Sequence, residues 1–195
     1  CIIAFVFLIS VSYSYFFIET SSPHKSAPKD THFIMIDDGE EIAYQEINNN
    51  APTTIVFVGG LSGWSGTWVR SMRELNLKNG VNKYNLIAID LPPFGYSTFN
   101  FSKDFYRSSQ ANRIKEFIIK KGIKDVVFVA HSYGAGPVAE VVMNNTSEFK
   151  ISKFIVVDGV LNIDEVKNIQ PSFFNKILTS KTILETFALG VSHFD

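Results

Sequence analysis

Cysteine is nearly absent from this chain of 195 residues: Cys1 is the only one. No intramolecular disulfide can form, and no cysteine cluster can hold a metal. An excess of charge of either sign is missing too. Lys and Arg number 18 against 19 Asp and Glu, a formal net charge of −1. That balance points to neither a nucleic-acid partner nor a polyanionic substrate. No group of His, Cys, Asp and Glu has metal-ligand spacing. The stretch Gly59-Gly60-Leu61-Ser62-Gly63 has neither dinucleotide spacing nor the Lys-Ser/Thr of a phosphate loop. Metal and cofactor are therefore both expected to be lacking. Histidine is scarce, at positions 24, 32, 131 and 193 only, and the first residue is not Met.

Apolar residues are plentiful, at 46% of the chain, with 18 Phe. That is enough to build one packed domain. Residues 2–18 (IIAFVFLISVSYSYFFI) carry no charge before Glu19. A bilayer span takes roughly 17–25 residues, and the apolar core of a signal peptide about 7–15. The closing Tyr15, Phe16 and Phe17 suit a membrane interface better than a cleavage site. The run is expected to be a transmembrane or signal-anchor helix over 1–19, making the membrane a partner and setting the domain on its extracytoplasmic side. A cleaved signal, hence a secreted protein, or a buried core helix are the alternatives. Residues 20–31 (TSSPHKSAPKDT) have linker composition, and the soluble domain should begin near His32.

From there the pattern is regular. His32–Asp37 and Glu41–Ile47 alternate on either side of Asp38-Gly39, a hairpin signal. Thr54–Val58, Tyr84–Ile89, Asp125–Ala130 and Lys153–Val157 are short continuous apolar runs, the mark of strands covered on both faces and hence parallel. Helical spacing fills the gaps over Thr67–Leu77, Phe105–Lys121 and Gly134–Asn144. Strand and helix in alternation predict an α/β fold: a mostly parallel, doubly wound sheet opened by an antiparallel hairpin, with helices on both faces. After Gly159 the pattern turns helical and no convincing strand follows.

The chemistry gathers in Val127–Val138 (VFVAHSYGAGPV), where an apolar strand runs straight into Ser132 and then into a glycine-rich helix start. A serine hydroxyl needs a base and an anion-stabilising site to act as a nucleophile. A sharp strand-to-helix turn lifts it clear of the sheet, requires small residues two positions to either side, and aims helix N–H groups at the reaction centre. Ala130 and Gly134 are small, and Pro137 suits a first helical turn. An N-capping serine is the bland alternative.

This stretch resembles the nucleophile elbow, G-x-S-x-G, of the α/β-hydrolase superfamily, with Ala130 for the first Gly. Val56–Trp68 (VFVGGLSGWSGTW) is similar to the family's strand-3 segment, with Gly59 at its histidine position. Ile89–Ser97 (IDLPPFGYS) resembles the D-x-P-G-x-G-x-S turn after strand 4, with Pro93 for Gly. The likeness covers roughly residues 32–160. It implies Ser132 as nucleophile and the backbone N–H groups of Leu61 and Tyr133 as the oxyanion hole. It also implies an acid and then a histidine downstream. Asp158, at the end of the strand after the elbow, is the acid candidate in this chain. His193 is formally the base, but its setting reads as helix. The last strands and the true histidine are expected beyond Asp195, with a partial helical cap beginning near 160. His131, adjacent to the nucleophile, should point away from it. Asp90 reads as structural, holding the turn before Pro92 and Pro93. The reaction implied is hydrolysis of an ester-like bond in a small, apolar substrate, with Trp64, Trp68, Phe94 and Tyr133 as candidate lining. An acyltransferase, thioesterase or cofactor-free peroxidase on the same scaffold, or a non-catalytic binding protein, are the alternatives. The sequence sets no oligomeric state. Three Asn-x-Ser/Thr triplets, at Asn100, Asn144 and Asn145, are of the kind that recurs by chance.

Overall fold

The computed structural model of the chain describes residues 9, 12, 23–37, 39–47, 50–78, 83–99, 105–159 and 161. Pro28–Leu161 forms one body. Ile9, Ser12 and Pro23–Ala27 belong to a second unit, in which Pro23–Ser26 makes a single helical turn. Among the described residues no helix is long and apolar enough to cross a membrane. The run 2–18 lies outside them apart from Ile9 and Ser12, and the expected cap after 160 lies outside them apart from Leu161.

Six strands form one sheet within the described residues: β1 (His32–Asp37), β2 (Glu40–Ile47), β3 (Thr54–Val58), β4 (Asn85–Ile89), β5 (Asp125–His131) and β6 (Lys150–Val157). Their order is β1-β2-β4-β3-β5-β6. β1 and β2 make the antiparallel hairpin, and β2 also runs antiparallel to β4. β3 is parallel to both β4 and β5, and β5 to β6. The hairpin and the parallel sheet both agree with the sequence pattern.

Alternation along the central strands divides the core. Val56, Val58, Ile87, Ile89 and Phe128 pack under α2 (Arg107–Lys120) and α3 (Ala135–Met143), with Ile114, Phe117, Ile118, Val138 and Val141 supplying the helical side. Ile55, Phe57, Leu86, Ala88 and Val127 face the other way, onto Trp68, Met72 and Leu75 of α1 (Gly66–Lys78). Apolar side chains leave both faces of β3, all five of whose residues are buried. This is why β3 reads as an unbroken apolar run rather than an alternating one. β6 begins three residues before its apolar run, at Lys150. Its Ser152 and Lys150 side chains bind Asp125 at the start of β5. Polar residues tied to a neighbouring strand end thus carried the strand beyond its apolar stretch.

Candidate active site

Strand register brings the sequence motifs together. Val58 of β3 pairs with Ile89 of β4 on one side and with Ala130 of β5 on the other. Gly59-Gly60, Asp90 and His131-Ser132 therefore leave the sheet at one level. His131 pairs with Val157 of β6, so Asp158 emerges beside Ser132. The chain passes from β3 to β4 on one side and then to β5 on the other, so strand order reverses here. In an open α/β sheet, a crevice for ligands opens outside the carboxyl ends of the strands at that reversal.

Ser132 sits in the left-handed region at φ +48°, a conformation costing roughly 1–3 kcal/mol that persists only where its surroundings enforce it. Those surroundings are visible. Ser132–Gly134 forms a single 3₁₀ turn that runs into α3, and the Ala135 N–H closes it onto the carbonyls of Ser132 and Tyr133. Gly134 is pressed onto the end of β3. A Cβ there would lie 2.8 Å from Val58 Cγ1 and would collide with the Gly59 carbonyl. Smallness at this position is a packing requirement of the elbow, as the sequence pattern implied.

Across from the elbow, Gly60 would bring a Cβ within 3.1 Å of Ser132 Cβ and 3.0 Å of His131 Nδ1. A side chain here would make these neighbours give by a few tenths of an ångström, so the loop backbone lies close against the serine. The loop turns at once: Gly63 N–H donates to Gly60 O at 3.1 Å, with Ser62 at φ +58°. In such a turn the N–H of the second residue, Leu61, is not used by the turn itself. The Leu61 side chain is 61% exposed. Gly63 and Gly66 answer to the loop's own packing rather than to a ligand. A Cβ on Gly63 would crowd Gly60, and one on Gly66 would strike the Trp64 ring.

Asp90 holds this loop to the next one. Fully buried, it accepts the Ser65 N–H on Oδ1 at 2.5 Å and the Tyr96 N–H on Oδ2 at 2.8 Å. Burial raises its pKa to about 6, against the lowering effect of those two bonds. Gly95, at φ +63°, closes over the carboxylate where a Cβ would collide with it. The structural role expected of Asp90 is thus borne out, with the addition that it joins the β3 and β4 loops. Ser97 extends the tie, donating to Asp90 O at 2.7 Å and accepting from Ala43 N–H of β2 at 2.8 Å.

Tyr133 follows the serine. Its phenol donates to Phe105 O at 3.4 Å, and its ring meets Phe94 edge-on at 6.5 Å. Burial pushes the phenol pKa up, while Gln110 and the Arg113 charge pull it down. Asp158 is exposed and, like Ser132, left-handed, at φ +47°. His131 is exposed, with Nδ1 turned to Gly60. His193 lies outside the described residues. Trp64 packs against Tyr96, and Trp68 against Phe57 in the core of the α1 face. Trp68 is therefore a packing residue rather than site lining. Motif reading missed Gln110, which is fully buried on α2 and donates to Pro92 O. An isolated Gln on a helix gives no signal of this. Among the described residues no group of three or more His, Cys, Asp and Glu could hold a metal.

The sequence pattern of the family described as alpha/beta hydrolase fold matches residues 53–181. The chain belongs to the α/β-hydrolase family. A Mycoplasma genitalium protein named as an esterase/lipase is 29% identical over 89 residues, covering 46% of this chain and 32% of that relative. The match thus spans about a third of the relative's length. Among solved α/β-hydrolase-like structures, a bacterial membrane phospholipase A superimposes with a TM-score of 0.61 at 20% identity, over 98% of this chain and 70% of that one. An esterase from Exiguobacterium antarcticum gives 0.55 at 22% identity, over 65% of this chain and 44% of that one. Identities this low establish the α/β-hydrolase fold.

Proposed function

We propose that this α/β-hydrolase chain carries the nucleophile and oxyanion site of a serine hydrolase acting on an ester-like bond of a small, apolar substrate. The observation that carries the reading is Ser132 held left-handed at a strand-to-helix elbow, directly against the bare backbone of Gly60. Strain retained at this turn, beside a loop whose Leu61 N–H is not used by the turn it sits in, is what a nucleophile facing developing negative charge requires. Ser132 Oγ attacks the carbonyl carbon and its proton passes to a base. The N–H groups of Leu61 and Tyr133 hold the oxyanion, and the alcohol leaves to give an acyl-enzyme that water then hydrolyses. Asp158, one strand over at the same level, supports an acid role. His193 is the formal base candidate downstream of the elbow. The named esterase/lipase relative favours ester chemistry.

Labelling of the full natural chain with a fluorophosphonate probe tests this. Labelling is expected in the wild type and lost in Ser132→Ala. Equal labelling of both, or of neither, would sink the proposal. The composition of the run 2–18 supports a seat at a membrane. Fractionation with and without that run checks it: the intact chain should pellet with membranes and the shortened one should not.

A further inference from the structure

A buried polar chain lies behind the elbow. Arg113 on α2 binds Glu40 of β2 with two bonds, Nη2 to Oε1 at 2.7 Å and Nε to Oε2 at 3.2 Å, both side chains being buried. Its Nη1 reaches Gln110 Oε1 at 3.5 Å. Gln110 in turn donates to Pro92 O, in the loop that Asp90 anchors. The guanidinium of Arg113 also lies 5.3 Å from the centre of the Phe105 ring, and the carbonyl of Phe105 receives the Tyr133 phenol. The side chain of Tyr133 is thus held at its tip by the Phe105 carbonyl and at its ring by Phe94, which lies in the same loop as Pro92. Its backbone N–H belongs to the peptide that follows the strained Ser132.

We propose that Gln110 is a positioning residue of the oxyanion site, fixing the Ser132–Tyr133 peptide through the Pro92 loop and through the Arg113–Phe105 contact at the phenol of Tyr133. The inference rests on the serine-hydrolase reading above. Gln110 touches no reacting atom. Through the Pro92 loop, which carries Phe94, and through Arg113, which lies against Phe105, it restrains a side chain whose backbone end carries an N–H donor, and Glu40 locks Arg113 in turn. A donor misaimed by a fraction of an ångström loses transition-state stabilisation while ground-state binding stays the same.

The test compares wild type, Tyr133→Phe, Gln110→Leu and the double variant in the full natural chain. Tyr133→Phe removes only the hydroxyl and keeps the ring on Phe94, so the question stays answerable even if Gln110→Leu fails to fold. The readouts are kcat and KM for p-nitrophenyl butyrate, affinity for a trifluoromethyl ketone that mimics the oxyanion, and the melting temperature. Each single variant should lower kcat by about ten- to a hundredfold with KM unmoved. Ketone affinity should fall in parallel, and the double variant should lose no more than the worse single one. Folded variants with wild-type kcat, a double variant whose losses multiply, or losses that follow KM and melting temperature would each overturn the positioning role. If the wild type labels at Ser132 while the variants are unaffected, only this inference falls. If the wild type shows no Ser132-dependent labelling, the hydrolase reading falls and takes the inference with it.

Discussion

Asp90 illustrates how a single carboxylate can be both well bonded and poorly solvated. Two backbone N–H groups favour its ionised form, yet complete burial outweighs them and raises its pKa from 3.8 to about 6. The folded state therefore holds this proton more tightly than the unfolded chain does. The stabilisation is fully present below about pH 4 and is lost as pH rises through about 6. Its full size is on the order of 3 kcal/mol. Asp90→Asn removes the titration and leaves one of the two N–H groups facing an amide donor, which should cost about 1–3 kcal/mol. Urea unfolding of both proteins at pH 4 to 7 checks the sign. The wild-type advantage over the variant should grow as pH falls, and a flat difference would contradict the burial argument. Gly134 carries a simpler prediction. Its Cβ would meet Val58 Cγ1 at 2.8 Å and the rigid Gly59 carbonyl, which cannot rotate away. Gly134→Ala should destabilise by roughly 1–3 kcal/mol or more, measurable as a lower urea midpoint at unchanged slope. Gly122 has nothing within 4 Å of its Cβ position, but it is left-handed at φ +74°. Gly122→Ala should therefore cost only the backbone strain, roughly 1–2 kcal/mol.

Between elements, the Glu40–Arg113 pair fastens the start of β2 to the middle of α2. Both partners are almost fully buried, so removing one strands a charge without water or counter-ion. Glu40→Ala should cost about 3–5 kcal/mol, whereas the joint replacement Glu40→Leu with Arg113→Met should recover most of that loss. Chemical denaturation of the single and double variants checks this. A double variant as unstable as the single one would mean the pair contributes net stability beyond its mutual compensation. This tie was invisible in the sequence. Glu40 stands in a run of acidic residues at a turn, and Arg113 on a helix otherwise read as amphipathic. The strands were legible for the opposite reason. Burial on both faces forces β-branched and aromatic residues into consecutive positions, as in Thr54–Val58 and Asp125–Ala130, and no other local structure needs that composition at that length. Helix ends were read less well. Gly134 begins no α-helix, because the elbow takes up Ser132–Gly134 as a 3₁₀ turn before α3 starts at Ala135.

At the scale of the molecule, the candidate site is a product of topology. Ser132, Gly60 and Asp90 are up to 72 residues apart in the chain and meet because parallel strands end at one level. Each of the three motifs could be read because its local geometry restricts which residues fit: small at 134, small at 60, and an acceptor for two backbone N–H groups at 90. The ties of Gln110 to Pro92 and of Glu40 to Arg113 could not, since side-chain contacts 18 and 73 residues apart follow from the folded structure alone. Among the described residues β1 and β6 bound the sheet. On β6 the face shared with Val127 and Val129 carries Ile155 and Val157, 45% and 41% exposed. An exposed apolar strip is a surface on which copies of a chain associate, and a net charge of −1 with a pI near 6.5 offers little repulsion to prevent it. Ile155→Lys with Val157→Glu keeps the net charge while breaking the apolar strip. Exposed substitutions change stability by about 0.5 kcal/mol or less, so the melting temperature should hold. Light scattering near pH 6.5 should fall. A large drop in melting temperature would instead show that these side chains are buried in the folded molecule, and unchanged scattering would show that association uses another surface.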